Sequence, residues 1–237
     1  TFNSPFPAHL AGRRFRRKHP EVKWITYTVD PFTRAMSFAK TIMFPKLRER
    51  INFNEEKSIY DIADYNFVSE EVFDSDRPLF SQALYKTKPL PYVLKPISWI
   101  SKLSVFPSDK INLIYAGSFY KNIRNPEYLL KTFLNIHNPD ILLHLFIYSD
   151  CEDLIKYYVD QSNGQIIRHA LVGHEMILNI LMGADILISV GNSTSAFKPS
   201  KIFEYISTGK PIVHFYQNEV KDDVLSKYPF SLQISQN

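Results

Sequence analysis

From Lys110 onward the chain alternates apolar runs with segments of helical period. Ile111–Gly117 is a short apolar run, and Asn125–Ile136 follows with Tyr128, Leu129, Thr132 and Phe133 at helical spacing. Ile141–Ser149 reads as a second strand and 151–160 as a helix. Gln165–Val172 is strand-like, Glu175–Met182 helical, and Ala184–Val190 a continuous apolar strand. Pro199–Thr208 reads as a helix, with Pro199 in its first turn and Gly209 just past its end. Pro211–Tyr216 is the next strand, 219–227 a weak helix and Phe230–Ile234 a last strand. Strict alternation with near-continuous apolar strands predicts a parallel sheet covered by helices on both faces, a nearly complete doubly wound domain.

The first part of the chain is patterned differently. A helix over 8–18 puts Ala8, Ala11, Gly12 and Phe15 on one narrow face, and Phe15 is read as the residue that docks it. Val22–Val29 and Ile62–Ser69 are strand candidates, with a polar loop and a helical region of few clear signals between them. Tyr85–Pro96 carries Pro89, Pro91 and Pro96 and reads as a linker. One or two helix–strand steps do not make a core, so residues 1–97 are expected to be part of an α/β domain whose first strands lie outside this sequence. Residues 98–237 form the second domain. Thr1 in place of Met agrees with a fragment of a longer protein.

Composition narrows the function classes. Of 237 residues, 45% are apolar and 22% charged, enough for a packed core and against wholesale disorder. The lone Cys151 allows no internal disulfide and is read as inert, which fits a cytoplasmic setting. No apolar run is long enough to span a bilayer, and no secretory leader is visible. Charge is uneven: residues 1–97 hold 16 Lys and Arg against 11 Asp and Glu, and the rest hold 12 against 13. Arg13, Arg14, Arg16, Arg17 and Lys18 cluster without an acid, as a solvated helix face or as a peripheral contact with an anionic inner membrane face. No zinc-finger spacing, RNP motif or basic zipper accompanies them, so nucleic acid is not expected as a partner. The seven histidines show no paired metal spacing, and no metal or cofactor is expected. Asp74-Ser75-Asp76 matches the Asp-x-Asp of metal-dependent sugar transferases, but three-letter matches arise easily by chance and this one is set aside.

Two loops carry the candidate chemistry. Gly117-Ser118-Phe119-Tyr120-Lys121-Asn122-Ile123-Arg124 ends a strand in glycine and places two cations before the next helix. It is either a phosphate-neutralising loop or a surface turn, and it matches neither the Walker nor the dinucleotide spacing. The second loop, from Gly191 through Ser193, Thr194, Pro199 and Ser200, runs into a helix that bears Lys201 and Glu204. A helix start and Lys201 suit an anion, while an acid one turn on suits hydroxyls one sugar away. The plain alternative is a Lys–Glu surface pair.

The run from Ala184 through PSKIFEYISTGKPIV resembles the nucleotide-sugar signature of GT-B glycosyltransferases of the large retaining family numbered four. YAGSFYKNIRNPEYLLKTF resembles the first strand–loop–helix of the same domain. Trp24-Ile25 through Asp30-Pro31-Phe32, and IADYNFVSEE, resemble late segments of the N-terminal domain. The resemblance implies two Rossmann-like domains, a nucleoside-diphosphate sugar with uridine or guanosine as donor, and a glycan or lipid-linked hydroxyl as acceptor in cell-surface glycan synthesis. It implies that Glu204 binds the ribose and that Ser200, Lys201, Lys121 and Arg124 bind the diphosphate. Gly173 and His174 would lie near the base or diphosphate. Metal independence and retention of configuration are also implied, and the polar group facing the anomeric carbon would come from the missing part of the N-terminal domain or from His9 or Asp30. Two positions depart from the pattern: Ala196 stands where many members carry a first glutamate, and Ser118 replaces the first cation of the glycine loop. A nucleotide-sugar-binding module without turnover is the alternative, and an epimerase of similar fold a third.

Overall fold

A computed structural model describes residues 1–2, 6–33, 44–91, 106–193, 201–217 and 222–236. The chain divides into two compact units, Thr1–Val93 and Leu94–Asn237.

The C-terminal unit is built on six parallel strands. These are β4 (Ile111–Phe119), β5 (Ile141–Ser149), β6 (Ile166–Arg168), β7 (Ile186–Val190), β8 (Ile212–Tyr216) and β9 (Ser231–Ser235). They lie in the order β6-β5-β4-β7-β8-β9. The chain works outward from β4 to β6 and then returns to the other side of β4, which is the doubly wound order. Successive side chains on each strand point to opposite faces, and both faces are apolar. Tyr115, Phe119, Leu143, Leu145 and Ile147 pack with helices α4 (Glu127–Leu134) and α5 (Glu152–Gln161). Ile114, Ala116 and Phe146 pack with α6 (His174–Gly183), α7 (Lys201–Ser207) and α8 (Asp223–Ser226) on the other face. Leu143, Leu145 and Ile114 have no exposure at all. Burying each contributes about 1.5–3 kcal/mol. Gly209, just past α7, has φ +69°, a left-handed helix ending that favours glycine.

Two readings of this half change. Gly117 does not end its strand: β4 runs on to Phe119, because it stays in register with β5 up to Phe119↔Ser149. The stretch Gln165–Val172 holds only a three-residue edge strand. It stops once His169 has donated its N–H to Leu145, and Leu171 and Val172 are exposed beyond it.

The N-terminal unit holds a parallel sheet β1-β2-β3, with β1 Ile25–Thr28, β2 Tyr65–Val68 and β3 Thr87–Pro89. A parallel bridge joins Phe2 to Tyr27. Helix α1 spans Pro7–Lys18, α2 Pro45–Ile62 and α3 Glu70–Ser75. Two 3-10 turns within Arg77–Lys86 meet at a kink at Phe80. Ser69 caps α3 by accepting from the N–H of Val72, with Glu70 and Glu71 in the first turn. The long α2 falls in the stretch expected to be a polar loop and a helical region with few clear signals, and it buries Asn52, Glu56, Ile59 and Tyr60. The Glu56 carboxylate accepts the N–H groups of Phe32 and Thr33 at 2.8 Å each, and burial raises its pKa.

Three expectations are corrected here. Helix α1 is turned so that His9 is buried, while Phe15 stays 52% exposed and stacks on His19. Ala8, Ala11, Gly12 and Phe15 line an open groove of about 490 Å³ beside Trp24. Gly12 is required there, because a Cβ would come within 2.7 Å of the Trp24 indole nitrogen. The proline-rich stretch from Tyr85 is not wholly linker. Thr87–Pro89 pairs with β2 as an edge strand, where proline is tolerated, and residues 92–96 lie outside the described residues. The segment from Ile62 is a strand only from Tyr65, because Ile62 ends α2 and Asp64 turns to accept the N–H of Trp24 at 2.8 Å.

Candidate functional site

In an open parallel sheet the ligand crevice lies beyond the carboxyl ends of the strands where the strand order reverses. In the C-terminal unit that point lies between β4 and β7, and the two loops singled out above leave those two strands. The first loop folds back on itself: Tyr120 and Arg124 exchange backbone hydrogen bonds of 3.0 and 2.8 Å. The turn aims Arg124 back over the end of β4. Its Nη1 donates to the Ser118 carbonyl at 3.3 Å, and its Nε donates to Asn192 Oδ1 at 3.0 Å. The second loop is tied to the first at two more points. Ser193 donates its N–H to the Ile123 carbonyl at 2.6 Å and its hydroxyl to the Asn122 carbonyl at 3.0 Å.

Beneath Arg124 lies Tyr115, whose hydroxyl donates to the Ser118 carbonyl at 3.0 Å. Burial pushes the Tyr115 phenol up to about 12, with Arg124 opposing the shift. Gly117 matters here through space rather than backbone angle, since a Cβ would sit 3.3 Å from that hydroxyl. Lys121 is exposed, and its N–H donates to Asp150 Oδ1 at 2.8 Å. That hydrogen bond lowers the pKa of Asp150. On β8, His214 meets Ser189 Oγ at 3.0 Å, and burial lowers its pKa to about 4, so it is neutral at pH 7.

A second cluster joins the starts of α6 and α7. Glu204 receives the Lys201 ammonium on Oε2 at 2.7 Å and faces His174 Nε2 from Oε1 at 3.1 Å. Glu204 is therefore not half of an isolated surface pair. One carboxylate is shared between a cation and an imidazole from different helices. Gly173 precedes α6 with φ −64°, and a Cβ on it would meet open space, so nothing in this geometry demands glycine.

The geometry thus gathers Ser118, Arg124 and Ser193 in one place and His174, Lys201 and Glu204 in another. Thr194, Pro199 and Ser200, and with them Ala196, lie outside the described residues. His9 and Asp30 belong to the N-terminal unit. His9 is buried, with Nδ1 2.7 Å from Thr1 Oγ1 and Nε2 3.2 Å from Thr28 Oγ1, and burial lowers its pKa to about 4. Asp30 is exposed on the loop after β1. Sequence reasoning missed Asn192, Asn122 and the two buried tyrosines, Tyr115 and Tyr205. An asparagine after the glycine that follows an apolar strand was the available signal for the first. Among the described residues no group of three or more His, Cys, Asp or Glu side chains is placed to hold a metal, and no helix is long and apolar enough to cross a membrane.

No protein-family model matches the sequence, and no curated protein sequence matches it. Solved structures do resemble it. Sucrose-phosphate synthase from Thermosynechococcus elongatus superposes with a TM-score of 0.61 at 15% identity, over 96% of this chain and 59% of the other. TarM gives 0.54 at 12% identity, over 89% of this chain and 40% of its own. The GtfA/B complex gives 0.52 at 13% identity, over 95% and 49%. The fold is therefore of the GT-B type. The chain spans between 40% and 59% of the length of these three structures.

Proposed function

We propose that the protein is a glycosyltransferase that moves a sugar from a uridine or guanosine diphosphate donor to a hydroxyl of a glycan or lipid-linked acceptor. The reading is carried by the pinning together of the loops after β4 and β7, through Arg124, Asn192 and Ser193, where the strand order reverses. The fold shared with sucrose-phosphate synthase supports the class. Arg124 and Lys201 supply positive charge to the diphosphate, aided by Lys121, Gly117, Ser118, Ser193, Thr194, Pro199 and Ser200 along the loops. Glu204 exchanges its present partners for ribose hydroxyls, with Gly173 and His174 closing that end.

Catalysis is then positioning plus stabilisation of charge on the leaving diphosphate as positive charge develops at the anomeric carbon. The residues named need no metal for that task. Of the two N-terminal candidates, we keep Asp30 as the polar group for the reacting sugar and assign His9 to holding α1 on β1, since both its ring nitrogens are engaged there. Retention of configuration and a place in cell-surface glycan assembly rest on the sequence resemblance alone. A cytoplasmic, membrane-peripheral setting rests on the exposed Arg14, Arg17 and Lys18, because Arg13 and Arg16 are paired with Glu55 and Asp64.

Calorimetric titration with uridine diphosphate and guanosine diphosphate tests the donor site. Glu204→Ala weakens the preferred diphosphate at least tenfold, about 1.4 kcal/mol. Arg124→Ala and Lys201→Ala weaken the diphosphate more than the nucleoside. Unchanged affinity in Glu204→Ala removes that residue from the site. Binding without turnover is favoured by Ala196, and shows as diphosphate binding with no sugar transferred or released.

A further inference from the structure

We infer that Tyr205 is a positioning residue for the donor site: its hydroxyl clamps α7 to the free rung of β4 and so sets where Glu204 stands relative to the carboxyl end of β4. This inference rests on the donor reading above. Strands β4 and β7 pair only at Leu113↔Ile186 and Ile114↔Leu187. Beyond Ile114, β4 continues for five residues against β5 alone. Ala116, two residues past the last rung shared with β7, presents its N–H and C=O toward the side that β7 has left. Both groups are taken by one side chain. The Tyr205 hydroxyl accepts from the Ala116 N–H at 3.0 Å and donates to the Ala116 carbonyl at 3.1 Å.

The ring behind this hydroxyl is fully buried among Ile114, Ile177 and Ile202. Burial also raises its pKa, so the phenol keeps its proton across the working range. The contacts that Ile202 and Ile206 make in the same cluster are apolar and specify no register along the strand. The tyrosine hydroxyl does specify one, because hydrogen bonds tolerate only small changes in distance and angle. Glu204 is the next residue back on the same helix. Its carboxylate therefore inherits its place from Ala116, the residue just before Gly117. A helix free to slide would carry Glu204 away from the ribose while leaving the core intact.

Titration of the full chain with uridine diphosphate tests the clamp. Tyr205→Phe binds five- to twentyfold more weakly than the parent. Tyr228→Phe, which removes a tyrosine hydrogen bond to the Lys210 carbonyl beyond the other end of α7, stays within twofold. In a Glu204→Ala background, Tyr205→Phe adds less than a further twofold. Losses that multiply instead, or a Tyr205→Phe variant that binds like the parent, overturn the clamp while leaving the donor site standing. A parent chain that binds neither uridine nor guanosine diphosphate overturns the donor reading and the clamp with it. Amide exchange on the unaltered chain gives a check that needs no variant: by reciprocity, saturating nucleotide slows exchange at Ala116. Unchanged exchange there also overturns the clamp.

Discussion

Side by side on the buried face of the N-terminal sheet stand Thr26, Asn66 and Thr87, in register across β1, β2 and β3. The C-terminal sheet fills comparable positions with Leu113, Leu143 and Ile166. In the first case, the Thr26 hydroxyl donates to Asn66 Oδ1 at 2.6 Å, and Asn66 Nδ2 donates to the Tyr60 carbonyl at 3.0 Å. Thr87 in turn donates to the Ala83 carbonyl at 2.8 Å. A short sheet with little apolar surface to bury gains specificity of pairing from directional bonds, at the risk of a large loss when one partner goes. The six-stranded sheet also carries a polar chain, Asn112–His144–His169 at 3.1 and 2.9 Å, but rests mainly on the apolar layers that cover both of its faces.

Four measurements sharpen or break this contrast. The largest effect is expected from Leu130→Ala, fully buried in the C-terminal unit, which lowers stability by about 3–5 kcal/mol in urea unfolding followed by a probe of that unit. A loss below about 1 kcal/mol would mean the apolar layer is not close-packed.

Acid comes next, and here the two units should behave alike. His9 in one and His144 in the other are both held near pKa 4 by burial, against about 6.5 when unfolded. His144 also faces His169 at 2.9 Å and Asn112 at 3.1 Å, and Asn112 is bonded to Asp185. Between pH 6.5 and 4 the unfolded chain binds more protons than the folded one. The stability is thus complete above about 6.5 and drains away as the pH falls toward 4, by about 3 kcal/mol for each histidine. Measured as stability against pH, His144→Gln removes about one proton from the slope. A slope unchanged by that substitution refutes the assignment.

Third, Asn66→Ala lowers stability of the N-terminal unit by about 2 kcal/mol, since it strands the Thr26 hydroxyl and the Tyr60 carbonyl. If Asn66→Leu proves neutral in the same assay, the polar ladder is dispensable and the contrast fails. The smallest effect belongs to the exposed pair Arg168–Glu152, where Arg168→Ala changes stability by less than about 0.5 kcal/mol and the difference vanishes at high salt.

The strands of the C-terminal unit were legible because each is a near-continuous apolar run. Ile141–Ser149 was read to the residue. The ends that slipped did so for tertiary reasons: β4 outruns Gly117 because β5 is there to pair with it, and β6 stops early because β5 is its only neighbour. In the N-terminal unit, α2 was legible only as a helical region without clear bounds, because it buries Asn52 and Glu56, polar residues that blur an apolar stripe. The orientation of α1 was misread for the same reason, since the side chain it buries is His9 and the one it exposes is Phe15.

Of the candidate site, the two loops and the Lys201–Glu204 pair could be read from residue types and spacing. Their partners could not: Asn192 on Arg124, His174 on Glu204 and Tyr205 on Ala116 are 68, 30 and 89 residues away along the chain. The sequence alone determined which segments become strands, which become helices and which loops are rich in polar groups, because those follow from local period and turn chemistry. Only the tertiary structure decided that β7 returns beside β4. That return is a matter of sheet order, which no local pattern encodes, and it makes two distant loops a single site.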